Sequence, residues 1–221
     1  MGTPHVRISG RDRRQQILQV AAELFARQGF EGTTTRRIAQ HARVNEAILF
    51  RHFPHKEDLY WAVIDDKCRD AGVRAGLEQK LRSGVGDREI FAGIAEDILR
   101  RNTEDSTLGR LLLFSALENH RLSHRFFQSF VAERYRTLAK YIRARIRQGV
   151  FRRVDALLAA RGFLGMVIYH FLIQELFGGK RYQKFDLRRV SRTLTDIWLA
   201  GMLAGGGKKP RPRNSSRRAE S

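Results

Sequence analysis

Between Gly29 and Pro54 the chain has room for only two very short helical patterns, joined by a tight turn. Helices this brief do not hold in water by themselves, because nucleation costs more than a few added residues return. They must be gripped by longer neighbours. On the N-terminal side, Ile17, Val20, Ala21, Leu24 and Phe25 fall at i, i+3, i+4, i+7 and i+8, one apolar stripe on a helix from Arg13 to Arg27. Gly29 is a natural C-cap, and Phe30 packs back on the stripe. Thr34 or Thr35 can cap a second helix to about His41, with Ile38 and Ala39 inward. Arg43 and Val44 make the turn. Asn45 can cap a third helix from Glu46 to about His52, anchored by Leu49 and Phe53. Pro54 and His55 break the chain. A fourth helix starts near Lys56, with Glu57 and Asp58 in its first turn, where carboxylates suit the helix dipole. This layout suits a helix-turn-helix unit that inserts one short helix into a DNA groove.

The periodicity stays helical afterwards, so the expected fold class is all-α. Asp87 is the expected cap of a helix through Ile90, Ile94 and Ile98, and Ser106 or Thr107 of one through Leu111 to Leu117. A long helix is expected from Ser123 through Phe127, Phe130, Leu138, Tyr141, Ile142 and Ile146, ending at Gly149. Asp155 caps a strongly apolar helix to Phe177, stopped by Gly178 and Gly179; Asp186 caps the last helix, to about Leu203. The expected domains are a flexible leader (1–10), an N-terminal three-helix DNA-binding domain (11–55), a C-terminal helical effector-binding and dimerisation domain (56–204) joined through the fourth helix, and a basic disordered tail (205–221).

Charge is distributed unevenly. Of the net +19, residues 11–67 hold only 10 basic against 8 acidic side chains, while residues 68–206 hold 25 against 14. The short helices are therefore nearly neutral, and the excess elsewhere raises affinity for phosphate through the overall field. One cysteine, Cys68, excludes an internal disulfide framework and a Cys-rich zinc site, and a reducing cytoplasm is the simplest setting. No apolar leader segment follows the first Met. The longest apolar stretch, around Phe163 to Ile173, is too short and interrupted to span a bilayer, so no membrane is expected.

The segments GFEGTTTRRIAQHARV (29–44) and NEAILFRHFPHKEDLYWAV (45–63) resemble the TetR family of bacterial transcriptional regulators. The similarity is specific over about residues 11–67 and weaker near Gln148 to His170. The resemblance implies DNA contacts from two short helices. Thr34 and Thr35 would hold phosphate at the start of the second helix, and Arg36 would reach a guanine edge as a bidentate fork. On the third helix, Asn45, Glu46, Ala47 and Ile48 would meet bases: Glu46 a cytosine amine, Ala47 and Ile48 thymine methyls. His52 and Lys56 would bind phosphate, and Arg51 either phosphate or base. Phe50 lies in the same surface, where the family commonly has Tyr and its phosphate-binding hydroxyl; Arg43 stands where the family commonly has Gly.

The family uses its C-terminal helices for dimerisation and a ligand cavity. Here Ala159, Gly162 and Gly165 make a small-residue stripe, faced by Leu187, Val190, Leu194, Ile197 and Gly201 on the last helix, and two such pairs would form a four-helix dimer interface. Aromatic candidates for the cavity are Trp61, Phe91, Phe114, Phe127, Phe130, Phe163 and Tyr169. His170 and Gln174 are polar candidates in an apolar helix. The basic run beginning at Arg134 either favours an anionic ligand or is a solvated helix face. His120 and His124 stand at i, i+4, but no third ligand accompanies them, so no metal is expected. No Ser-His-Asp, Cys-His or phosphate-loop signature appears; neither an enzyme nor a cofactor is expected.

The expected function is a ligand-responsive repressor. It binds a pseudo-palindromic double-stranded operator as a homodimer, with recognition helices about 34 Å apart or more, and an unidentified small-molecule effector releases it. The alternative is an architectural or partner-controlled DNA binder without a small effector, suggested by the basic tail.

Overall fold

The structure, a computed structural model, describes residues 9–70, 73–118 and 121–204. Among these the chain is helical, and the one β feature is an isolated antiparallel bridge between Phe151 and Leu203. The N-terminal helices are α1 (Gly10–Gln28), α2 (Thr35–His41), α3 (Glu46–His52) and α4 (Lys56–Asp70). They are followed by α5 (Val73–Leu81), α6 (Asp87–Glu104), α7 (Thr107–Leu117) and α8 (Arg121–Phe126). The last three are α9 (Ala132–Arg147), α10 (Ala156–Phe171) and α11 (Leu187–Met202).

Two apolar cores organise these helices. The first joins α1 to α4 with Leu111 of α7 and Phe126 of α8. At its centre Phe25, Phe30 and Tyr60 meet, with Tyr60 edge-on to both phenyl rings at 4.9 and 5.3 Å between centroids. Tyr60 is fully buried, and its hydroxyl donates to the Leu111 carbonyl at 2.9 Å. Burial pushes that hydroxyl well above its ordinary pKa, with the Glu118 charge adding to the shift, so it remains a donor. The second core is built on α6, which packs on α10 and α11, and on α9 against α10. Phe91 of α6 sits among Phe163, Phe151 and Trp198 at 4.4 to 6.3 Å between centroids.

The first core crosses the expected boundary at residue 56. Leu59, Tyr60, Val63 and Ile64 of α4 are buried in it beside α1. The junction with the rest of the chain is polar as well as apolar: Lys67 pairs with Asp105 at 2.8 Å, and the Phe30 amide donates to Glu118 at 3.0 Å.

Several local expectations change. Helix α1 starts at Gly10, inside the expected leader, because Ser9 caps it and accepts from the Asp12 amide at 3.1 Å. Gly86, not Asp87, occupies the N-cap of α6. The Asp87 carboxylate instead accepts from the Tyr141 hydroxyl at 2.7 Å and pairs with Arg145 at 2.6 Å, tying α6 to α9. The single long helix expected from Ser123 is α8 and α9 joined through a π-helical turn, Phe127–Val131. A second π turn, Leu172–Leu176, extends α10. Asp155 and Asp186 cap α10 and α11 as the sequence suggests.

The apolar stretch expected at Phe163 to Ile173 extends over the helical run Ala156–Leu176. By length and composition it is long and apolar enough to cross a membrane. In this fold Ala160, Phe163, Leu164 and Val167 bury one face of it in the second core, as a core helix does. Leu158 and Tyr169 remain 63% and 67% exposed on the opposite face. The leader up to residue 8, His120 and the tail from residue 205 lie outside the described residues.

Two substitutions probe these cores. Gly29 has φ 74° and ψ −179°, and a Cβ there would meet Glu118 Oε1 at 2.0 Å. Gly29→Ala should therefore lower unfolding free energy by about 1–3 kcal/mol in denaturant titration. Thr195 is fully buried and its hydroxyl has no hydrogen-bond partner. Thr195→Val keeps the shape and removes an unsatisfied donor, so it should raise stability by about 1 kcal/mol; a lower melting temperature would contradict this.

Candidate nucleic-acid interface

The two short helices are closed at each end by local chemistry. Thr34 caps α2 by accepting from the Arg37 amide at 3.2 Å, and Asn45 caps α3 by accepting from Ile48 at 2.8 Å. Between them, the Arg43 amide donates to the Gln40 carbonyl at 3.1 Å and the Val44 amide to Ala39 at 2.9 Å. This pair of bonds is a Schellman motif, with Val44 packed against the first core as its apolar contact. The motif needs a left-handed residue, and Arg43 supplies it at φ 52°. Glycine would adopt that conformation without strain; arginine places a cation at the tip of the turn instead.

The outward surface follows from which side of α3 the core takes. Leu49 and Phe53 are buried. Ala47, Phe50 and Arg51, at i, i+3 and i+4, are exposed together, with Asn45 at the helix start. Phe50 is 42% exposed, so it belongs to this surface and not to the core. Arg36 is exposed on the first turn of α2, a place from which a long fork can reach a ligand lying along α3. Thr34 is exposed as well, its oxygen shared with the capping bond.

Other candidates are already engaged. Thr35 donates its hydroxyl to Glu46 at 2.8 Å, pinning the start of α2 to the start of α3. That bond turns Glu46 inward between the helices, and Glu46 and Ile48 are both half-buried. Lys56 stacks its ammonium over the Phe30 ring, 4.1 Å from the centroid, and is half-buried too. His52 lies half-buried against Phe53, 6.4 Å between ring centroids. Arg37 donates to Gln28 at 2.9 Å, bracing α2 on α1.

Sequence reasoning missed Glu118. It holds the Phe30 amide and stands over Gly29, so the end of α7 touches the loop that leads into the short helices. Nothing in a lone glutamate at a helix end signals a contact made across 88 residues.

The cavity candidates scatter. Phe91 and Phe163 are fully buried in the second core. Trp61 and Phe130 pack against the first, 6.0 Å apart, with the Arg125 guanidinium 3.9 Å over the indole. Phe114 is half-buried beside Gly29. Phe127 and Tyr169 are exposed, and Gln174 lies half-buried in the π turn after α10. His170 meets Phe185 edge-on at 5.6 Å, and burial lowers its pKa. None of these lines the cavity of about 40 Å³ that lies between α5, α6, α9 and α10. Its walls are aliphatic and charged, including Lys80, Asp97, Arg101 and Arg134. Phe91, Phe163, Trp61 and Phe130 went to the cores because large rings bury the most apolar area.

On the dimer candidates the geometry divides. Side chains added at Gly162, Gly165 and Gly201 would meet nothing within 4 Å, and Ile197 is 59% exposed. Val190, by contrast, is buried in the second core of its own chain, and Leu187 and Leu194 pack partly against it. Ala159 is half-buried and accepts from the Trp198 indole at 3.1 Å. Among the described residues no group of three His, Cys, Asp or Glu side chains could hold a metal.

Known proteins share this arrangement. A family model described as "Bacterial regulatory proteins, tetR family" matches residues 17–63, and one described as "AefR-like transcriptional repressor, C-terminal domain" matches residues 93–201. The transcriptional repressor AcnR of Corynebacterium diphtheriae is 40% identical over 80 residues, 35% of this chain and 42% of AcnR. The match thus spans less than half of that relative. The nucleoid occlusion factor SlmA of Vibrio campbellii is 31% identical over 161 residues, 71% of this chain and 80% of SlmA. The crystal structure of PfmR, a TetR family transcriptional regulator from Thermus thermophilus, is 26% identical with a TM-score of 0.64, covering 84% of this chain and 97% of PfmR.

The left-handed turn residue offers a test. Arg43→Gly should raise unfolding free energy by about 1 kcal/mol, measured in urea. An unchanged or reduced midpoint would mean that the Arg43 side chain makes a contact outweighing the strain.

Proposed function

The chain belongs to the TetR family of bacterial regulatory proteins, and from that premise we propose that it is a ligand-responsive transcriptional repressor that binds an operator as a homodimer. The observation that carries the DNA-binding part is the exposed face of Asn45, Ala47, Phe50 and Arg51 on α3, with Arg36 exposed on α2, since a major groove is wide enough to admit an α-helix. Arg36 reads a base edge. Arg51 and Arg43 face phosphate, and Lys56 reaches phosphate by leaving the Phe30 ring. Thr34, Thr35 and His52 hold the ends of the short helices against the backbone. Glu46 acts through Thr35 by fixing the angle between α2 and α3, with Ala47 and Ile48 giving the apolar part of the surface.

The dimer reading rests on an apolar strip that the monomer leaves open: Leu158, Gly162, Gly165 and Tyr169 on α10, at i, i+4, i+7 and i+11, with Ile197 and Gly201 on α11. Two copies joined there present two α3 helices to one duplex. The effector part rests on the cavity against α6. A ligand that shifts α6 acts on α7 through the turn at Asp105, and α7 holds the α1–α4 unit, the reading head, by the Tyr60–Leu111 and Phe30–Glu118 hydrogen bonds. The alternative of a DNA binder without a small effector draws support from the basic tail and from the similarity to SlmA, and the cavity favours the first reading.

Gel shifts with the DNA upstream of its own gene test this. A specific complex is expected, with two protomers per site. Arg36→Ala should cost about 1–3 kcal/mol at the best site and narrow the gap to mismatched sites. Lys56→Ala should weaken all sequences alike and lower the salt slope by about one unit. Equal effects of the two changes on specificity would refute the roles assigned, and no specific shift would refute the regulator reading.

A further inference from the structure

The cavity between α5, α6, α9 and α10 carries more positive than negative charge. Lys80, Arg101 and Arg134 line it, against the one carboxylate of Asp97. That carboxylate is already shared: it lies 3.3 Å from Lys80 and 3.7 Å from Arg100, which sits outside the cavity lining. Arg134 takes part in none of the ion pairs or hydrogen bonds among the described residues. Its neighbours on α9 differ, since Arg136, Lys140, Arg143 and Arg147 are exposed to solvent while Arg134 is partly buried at the cavity wall. The basic run of α9 is thus a solvated face with two members turned inward, Arg145 onto Asp87 and Arg134 to the cavity wall.

Burial lowers the pKa of Arg134, and the neighbouring Arg101 lowers it further. A guanidinium does not give up its proton, so the group stays charged where solvation is poor. A charge held there without a partner is costly, and an anion that forms a fork with it relieves the cost. The remaining walls, Leu77, Ile94, Ile98, Leu138 and Leu164, are aliphatic. They suit a hydrocarbon body better than a bare inorganic ion.

We propose, building on the effector reading above, that this cavity takes a small amphipathic anion, its carboxylate against Arg134 with Arg101 beside it and its apolar body along Ile94, Leu138 and Leu164. At about 40 Å³ the space holds only a few atoms as it stands, so a longer body enters by moving the α5 side of the wall. That movement presses on α6, the helix continuous with the route to the reading head.

Calorimetric titration of the full chain with octanoate and with octan-1-ol tests the inference. Octanoate should bind at least ten-fold more tightly. Arg134→Met keeps an unbranched stem and removes the charge; octanoate should then bind no better than octanol, while the melting temperature holds or rises. Arg136→Met, on the exposed face of α9, should leave octanoate affinity within two-fold. Equal affinity for acid and alcohol, no binding of octanoate, or equal losses in the two variants would overturn the proposal. Failure here with an intact operator shift removes the ligand class alone, whereas a missing operator shift removes the regulator reading whatever the titration gives.

Discussion

Two seven-residue helices have too few internal hydrogen bonds to stand alone, and everything this protein presents to a partner depends on how they are clamped. The clamp is the burial of Phe25, Phe30 and Tyr60 between α1 and α4, with Ile38 and Leu49 inserted from the short helices. Each buried ring or aliphatic chain contributes about 1.5–3 kcal/mol relative to exposure. The caps at Thr34 and Asn45 and the Schellman turn at Arg43 then fix the direction of each short rod. Exposed residues on α3 owe their orientation to side chains buried beneath them.

The same aromatic cluster joins the two halves of the molecule. Tyr60 is part of the first core, yet its hydroxyl is held by the α7 backbone; Phe30 lies in that core, yet its amide is held by Glu118 at the α7 terminus. Helix α7 therefore follows α6 through the turn at Asp105 and is hydrogen-bonded to the first core. A packed interface of this kind has few intermediate arrangements, which is what makes it suited to switching. The cavity lies on the α6 side of those bonds, with Arg134 at its wall.

Local features were legible because local chemistry decides them. Asn45, Asp155 and Asp186 each meet an amide within three residues, so their capping roles could be read from position alone. Gly29 and Gly178 take positive φ where a helix stops. Asp87 has the same apparent credentials, yet Tyr141 and Arg145, 54 and 58 residues away, hold its carboxylate. Glu46 looked free to meet a base until Thr35 claimed it. The aromatic residues nominated for a cavity fill the cores or lie on the surface. The cavity is walled by residues of ordinary type, whose meeting depends on how four helices cross.

The residue order by itself determined an all-helical chain, the two short helices of the reading head and the inward face of each, because these rest on periodicity of 3.6 and on bonds spanning a few residues. Tertiary structure alone decided which charged groups remain uncompensated: Asp87 is matched and Glu118 is spent on a backbone amide, while Arg134 is left facing a hollow. The physical reason is that Coulomb and desolvation energies depend on distance and burial in three dimensions, and helix packing sets both only after the chain has folded.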